Sequence, residues 1–318
     1  MIKKNKSIKI ISSARLHFGF LNLGQNKKNS LGGIGLSINK FQTIIKIKKY
    51  HKLVVEGDVS NKGYNYVKNF CKKNKIKPNY LVNIEKITPE HIGLGSGTQL
   101  ALSIGMAINK LNNLNLSIIE IGKMLSRGIR STVGLNSFMN GGFIIDLGIK
   151  NNFFSNFSMI NFPNKWKIIL IMHERNKGFY GTKEIKAFTK LKKSTKKIFN
   201  LQSLVLKKTY PYLVEKNFNA FSKSITKIQE YMGKYFYKIQ GGKYSSKIIS
   251  KVINFSKKTK IKGYGQTSWG PTGFIFLSNK ENAQKIKYRL EKKFANCNDL
   301  KFIICSGKNT GATIKTNL

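Results

Sequence analysis

The stretch from Pro89 to Gln99, with glycine at 93, 95 and 97, runs directly into an apolar segment, Leu100 to Leu111. Three glycines at alternate positions strip the backbone of side chains, so a ligand or a second chain segment can approach it closely. Ser96 and Gln99 have the spacing of a capping box, which predicts a helix start at this point. Beyond it, Leu100, Ile104, Ile108 and Leu111 recur at helical intervals, so the helix is expected to bury one face. A glycine loop opening such a helix aims backbone N–H groups and the positive dipole end at one spot, which suits a phosphate. The same turn can also be a packing device that binds nothing, and the loop alone leaves both readings open.

Length and composition narrow the setting. The 318 residues suffice for one large or two ordinary domains, and 41% apolar residues suffice for a core. No apolar run reaches the roughly 18 residues of a membrane-spanning helix, and Met1 to Ala14 lacks a secretory h-region. Cys71, Cys297 and Cys305 are odd in number and far apart, which fits a reducing cytoplasm and no zinc site. The net charge of +45 invites a nucleic-acid-binding reading. Against it, only Arg15, Arg127, Arg130, Arg175 and Arg289 are arginines; the remaining basic residues are lysines spread along the chain among many asparagines and isoleucines. AT-biased coding selects that trio, whereas a nucleic-acid surface gathers its basic residues on one face and uses arginine for bidentate contacts. No specific nucleic-acid partner is expected, although the charge favours anionic substrates.

Read in order, Lys9 to Ala14 is a predicted strand leading to Arg15, His17 and Gly19, a strand end that either faces a ligand or makes a hairpin. Gly32 to Ile38 reads as a close-packed turn into a strand, followed by strands over Phe41–Lys48 and Lys52–Glu56. A helix over Tyr64–Asn74, a strand over Tyr80–Ile87 and a helix over Ser117–Leu125 come next. Arg127 and Arg130 follow beside small residues, and either complement a helix end or clamp a phosphate or carboxylate. Asp146 closes the apolar strand after Gly141 and Gly142, as a general-base or metal candidate or a turn residue. A domain boundary is expected near residue 160, giving units 1–160 and 161–318. The second unit opens with a strand over Trp166–Met172, which delivers Glu174 and Arg175. Three helical segments between Lys183 and Phe236, broken near Pro211, come before a second glycine loop, Gly263 to Gly273, that carries Trp269.

No Walker lysine, dinucleotide fingerprint, nucleophile elbow or paired-cysteine site is present. Two glycine loops, an arginine pair and isolated carboxylates favour chemistry on a phosphorylated substrate, in which catalysis is mainly positioning and charge stabilisation.

Taken together, these stretches resemble the GHMP kinase superfamily. Pro89–Gln99 is similar to its phosphate loop, and the N-terminal strand and Gly263–Gly273 to its first and third motifs. Superfamily kinases that use a catalytic aspartate carry it seven residues before the glycine pair, and that place here is Gly134. The resemblance is closer to a non-kinase branch, the beta-ribofuranosylaminobenzene 5'-phosphate synthase family. It runs in order through Ala14–Gly19, Gly32–Leu36, Pro89–Gln99, Arg127–Gly134, Phe138–Asp146, Gly178–Phe188, Gly233–Gly242, Gly265–Gly270 and Asn309–Ala312. Thr132, at a place where glycine or alanine is expected, is a mild departure.

The resemblance implies a two-domain α+β fold, with an N-terminal ribosomal S5-like α/β domain and a C-terminal ferredoxin-like α+β domain. It also implies a homodimer and a pentosyltransferase joining phosphoribosyl diphosphate to 4-aminobenzoate or 4-hydroxybenzoate, with loss of carbon dioxide and pyrophosphate and with Mg²⁺ as cofactor, in methanopterin-type cofactor synthesis. Arg15, His17, Asp146 and Glu184 are the expected catalytic residues. Gly93, Gly95, Ser96, Gly97, Thr98, Arg127, Arg130, Arg175 and Trp269 are expected to bind substrate or phosphate, and Asp146 and Glu174 are the metal candidates. The alternatives are an ATP-dependent small-molecule kinase of the same superfamily and a basic nucleic-acid-binding protein.

Overall fold

Alternating isoleucines build the first sheet. The structure, a computed structural model, describes residues 6–22, 31–148, 157–174, 201–268 and 270–317. Ile8 and Ile10 on β1 (Ser7–Gly19) lie opposite Ile47 and Ile45 on β2 (Gly33–Lys49). Those in turn lie opposite Val82 and Ile84 on β4 (Tyr80–Lys86). All six are buried, while the intervening Lys46 and Asn83 are exposed, as a pleated strand with one covered face requires. β3 (Val54–Gly57) runs parallel to β4, and α1 (Ser60–Lys73) connects the two. α1 and α2 (Ser96–Asn112) cover this face with Val67, Phe70, Leu100, Ile104 and Ile108.

β2 is long enough to serve two neighbours. Its later residues pair with β4, and Gly33–Leu36 pair with β5 (Phe143–Asp146), which pairs with β6 (Phe157–Ile160). α3 (Ile118–Met124) and α4 (Val133–Met139) lead into β5. The second sheet is antiparallel, in the order β10 (Leu300–Cys305), β7 (Lys167–His173), β9 (Gly273–Leu277), β8 (Tyr264–Gln266). It begins beyond residue 160, and β11 (Thr313–Asn317) returns to pair with β1 in the first sheet.

The architecture is α+β, as expected. Between the sheets, Leu16, Phe18, Leu36 and Phe143 meet Ile168, Leu170, Phe274 and Phe276. α5 (Tyr210–Val214) and α6 (Phe218–Gln240) pack into the same cluster through Leu213, Phe221 and Ile225. The outer face of the second sheet is covered by α7 (Lys247–Lys258) and α8 (Lys280–Lys293), through Ile249, Val252 and Leu290.

Three local expectations change. Ser96 and Gln99 form no capping box: Gly95 adopts the left-handed conformation, Ser96 is already helical, and the Gln99 amide reaches the Gly134 carbonyl at 3.0 Å. Gly33 to Lys49 is one strand rather than a turn and a separate strand, with the slip in register absorbed at Phe41, where φ is +61°. Near Pro211 the helical path continues: Val205–Thr209 form a π-helical turn, and Pro211 sits in the first turn of α5, where no N–H is required.

Phe221 is the joint of the inter-sheet core. Its ring lies 5.1 Å from Trp166, 5.5 Å from Phe276, 5.7 Å from Phe143 and 6.1 Å from Phe162. Phe221→Ala is expected to cost about 3–5 kcal/mol, measured as a fall in the urea midpoint with the slope unchanged.

Candidate active site

Strand periodicity sorts β1 into two functions. Leu16 and Phe18 turn into the aromatic core, while Arg15 and His17, two residues apart, share the opposite face. The β1–β2 register slips between Ser13 and Arg15 and again between His17 and Gly19, so both side chains sit where the pleat is interrupted. They line a cavity of about 560 Å³ together with Phe20, Thr98, the loop Ser126–Ser131, Gly134 and Ser268. Arg127 and Arg130 project from that loop, which joins α3 to α4 rather than ending a helix.

The glycine loop stands directly behind these arginines. Arg15 donates its amide to the Leu94 carbonyl at 3.0 Å and its Nη1 to the Gly93 carbonyl at 2.7 Å. A Cβ on Gly95, whose φ is +85°, would lie 3.2 Å from the Arg15 guanidinium carbon. The Arg127 guanidinium lies over the Tyr66 ring, 5.3 Å from its centroid, and donates to the Tyr66 hydroxyl, which itself donates to the Gly97 carbonyl at 3.3 Å. Of the expected loop residues, Thr98 lines the cavity; Gly93 and Gly95 lie against Arg15 and Gly97 against Tyr66, while Ser96 is not in the described lining. α2 opens without a side-chain cap, so its N-terminal N–H groups and dipole add to the positive field of Arg15, Arg127 and Arg130.

His17 is 4% exposed, and neither ring nitrogen has a hydrogen-bond partner among the described residues. Burial, and secondly the Arg15 charge, lower its pKa from 6.5 to about 3, so the imidazole is neutral. Its ring packs against Phe20 at 4.7 Å. A Cβ on Gly33 would lie 2.8 Å from His17 Nε2 and 2.9 Å from Ser131 Oγ, so this glycine on β2 makes room for both.

Other expected residues fall elsewhere. Asp146 is fully buried and holds the arginine loop: Oδ2 accepts from Ser131 Oγ at 3.0 Å and the Thr132 amide at 2.5 Å, and Oδ1 accepts from the Gly148 amide at 2.9 Å. Glu174 is half-exposed at the end of the second sheet, paired with Lys301 at 2.5 Å. Arg175, Glu184 and Trp269 lie outside the described residues. Among the described residues no three metal-ligating side chains gather, and no carboxylate lines the cavity. Among the described residues, the cavity lining offers no carboxylate that would hold a magnesium ion. Ser131, Thr267 and Ser268 carried no signal in the sequence beyond proximity to the arginine pair or the second glycine loop, and Tyr66, on α1, carried none.

Two outcomes test this geometry. The Thr267 hydroxyl accepts from the His17 amide at 2.8 Å and donates to the Gly93 carbonyl at 2.9 Å. Thr267→Val leaves the buried His17 amide unpaired and the Gly93 carbonyl with Arg15 Nη1 alone, and should cost about 1–3 kcal/mol in denaturant unfolding. The unfolded chain protonates His17 below pH 6.5 and the folded chain only near pH 3. Its contribution is therefore complete above pH 6.5 and is lost as the pH falls towards 3, by about 1.4 kcal/mol per unit. His17→Gln should flatten that part of the stability curve.

Residues 61–144 match the family model described as GHMP kinases N terminal domain. The chain is 29% identical to a beta-ribofuranosylphenol 5'-phosphate synthase of Methanocaldococcus jannaschii, over 87% of this chain and 91% of the relative. It is 25% identical to a protein of the same name from Archaeoglobus fulgidus, over 97% of this chain and 99% of the relative. In fold it is similar to mevalonate diphosphate decarboxylase from Staphylococcus aureus, with a TM-score of 0.68, 16% identity and 99% of each chain covered. The phosphate-loop geometry and the near-full-length relatives agree: the chain is similar over most of its length to beta-ribofuranosylphenol 5'-phosphate synthases, on a fold similar to that of the GHMP kinases.

Proposed function

We propose that this pentosyltransferase joins phosphoribosyl diphosphate to a 4-substituted benzoate, with release of carbon dioxide and pyrophosphate. The observation that carries the reading is the convergence of Arg15, Arg127 and Arg130, three of the chain's five arginines, on one cavity with no carboxylate in its described lining. A diphosphate leaving group needs such a field, because negative charge builds on it as the anomeric C–O bond breaks. The uncapped start of α2 adds N–H donors to the same wall. The ring carbon bearing the carboxylate then bonds to the anomeric carbon, and loss of carbon dioxide returns the electron pair to the ring. No enzyme nucleophile takes part. The relatives are named for a phenol product, which favours 4-hydroxybenzoate over 4-aminobenzoate as the arene. The product fits an early step of methanopterin-type cofactor synthesis. Magnesium is assigned no step, given the donor set around the cavity.

A kinase reading has less support at this site. The place of the catalytic aspartate is Gly134, and a Cβ there would lie 2.9 Å from Thr98 Cγ2. Thr98 fills the space that a carboxylate side chain would enter.

The decisive test is incubation with phosphoribosyl diphosphate and carboxyl-labelled 4-hydroxybenzoate or 4-aminobenzoate, with and without Mg²⁺. Labelled carbon dioxide and pyrophosphate should appear in equal amounts; ATP-dependent phosphorylation of a small molecule with neither product would overturn the reading. Arg127→Ala should lower kcat/KM for phosphoribosyl diphosphate by about ten- to a hundredfold, the size of a lost hydrogen bond to a charged group. Unfolding should be little changed if Arg127 serves the substrate rather than the fold.

A further inference from the structure

We propose that His17 is the group that takes the proton from the arene's 4-substituent as the ring attacks the sugar. The proposal rests on the reaction above and assigns it a residue and an atom type.

The cavity's described lining comprises three arginines, small hydroxyl residues, glycines, Phe20, Ile129 and His17. Arginine stays protonated, and serine and threonine hydroxyls are poor proton acceptors. Asp146 is near by but its oxygens accept from the Thr132 and Gly148 amides and the Ser131 hydroxyl. His17 is therefore the one described lining residue that offers a neutral ring nitrogen with an unshared lone pair to a bound hydroxyl.

Its environment supports the role. Two buried ring nitrogens without partners are costly in a folded chain, and a ligand group that satisfies them accounts for their placement. The imidazole is kept neutral, so one nitrogen offers a lone pair. The Phe20 ring packed against it supplies an apolar surface on which an arene can lie. Arg15, Arg127 and Arg130 line the same cavity, and an incoming diphosphate or carboxylate that neutralises Arg15 removes the second cause that lowers the imidazole's pKa, which raises its basicity in the bound state.

The electron count closes. The 4-hydroxyl proton moves to a His17 ring nitrogen, and the oxygen lone pair raises electron density at the carbon bearing the carboxylate. That carbon bonds to the anomeric carbon while the C–O bond to pyrophosphate breaks, its pair leaving on the diphosphate oxygen. The C–CO₂ bond then breaks, and its pair restores the aromatic ring as a phenoxide. The phenoxide recovers the proton from the imidazolium, so His17 ends the cycle neutral.

The test compares two arenes, 4-hydroxybenzoate and a ring-fluorinated 4-hydroxybenzoate whose hydroxyl is already ionised at the assay pH. His17→Ala should lower kcat for 4-hydroxybenzoate by about 10²–10⁴-fold, the range for loss of a general base. The loss for the ionised arene should be less than about tenfold, because its proton has already gone. Added imidazole should restore turnover of 4-hydroxybenzoate by His17→Ala and leave the ionised arene unaffected. His17→Gln, a neutral hydrogen-bonding replacement, guards against a folding defect, and the circular dichroism of both variants is compared with that of the native chain. Equal losses with the two arenes, or no imidazole rescue, overturn the role of His17 while leaving the reaction in place. A native protein that forms no product from either arene overturns the reaction itself, and the role of His17 with it.

Discussion

The Thr267 hydroxyl fixes where the two halves of this molecule meet. It accepts the His17 amide, 250 residues away in sequence, and donates to the Gly93 carbonyl, which also accepts from Arg15 Nη1. Three segments are thereby pinned to one point: the bulged end of β1, the glycine loop and the turn between β8 and β9. The Ser268 amide adds a further bond to the His17 carbonyl at 2.8 Å. Gly93 is required in this arrangement, because its φ is +83° and a Cβ would lie 2.5 Å from the Thr267 carbonyl oxygen. The cavity wall is backbone held by backbone and buried hydroxyls, so its arginines project from a rigid base.

Charge is organised at the site on a scale that the whole-chain total conceals. The chain carries 58 basic and 13 acidic residues, and most of the lysines are dispersed. Around the cavity the basic groups are arginines with defined supports: Arg15 on the Gly93 carbonyl, Arg127 on Tyr66. A buried carboxylate, Asp146, is used to shape the loop between them and does not enter the lining. A cavity lined in this way has the charge that the proposed departure of a polyanion calls for, beside a neutral imidazole.

Much of this was legible in the residues before any coordinates. Ile8, Ile10, Ile45 and Ile47 announce a half-buried sheet by their alternation, and Leu100 to Leu111 announces a buried helix. The glycine loop and the arginine pair point to an anion, and the structure brings Arg15, His17, Thr98, Arg127 and Arg130 to one cavity. Other parts depend on contacts that no local pattern encodes. Ser96 and Gln99 have capping-box spacing, yet the left-handed turn at Gly95 starts the helix one residue too early for it, and Gln99 bonds to Gly134 instead. Asp146 looks like a metal or base candidate at a strand end, but the amides of Thr132 and Gly148 claim its oxygens. Tyr66 and Thr267 reach the site from α1 and the β8–β9 turn, and only tertiary packing reveals them.

The site also suggests how one fold serves two chemistries. A phosphoryl-transfer enzyme of this architecture needs a phosphate cradle and a group to accept the attacking hydroxyl's proton. Here the cradle persists, in the glycine loop backed by Arg15 and Arg127, while the aspartate's place is Gly134 and the Thr98 methyl occupies the space beside it. In a glycosyl transfer the cradle holds the leaving group, and the nucleophile is a ring carbon with no proton of its own to lose. A base at position 134 would then serve no purpose, and an unscreened carboxylate would weaken the field on the diphosphate. Glycine at 134 on α4 and a neutral histidine on β1 fit the cavity to the glycosyl transfer proposed for it.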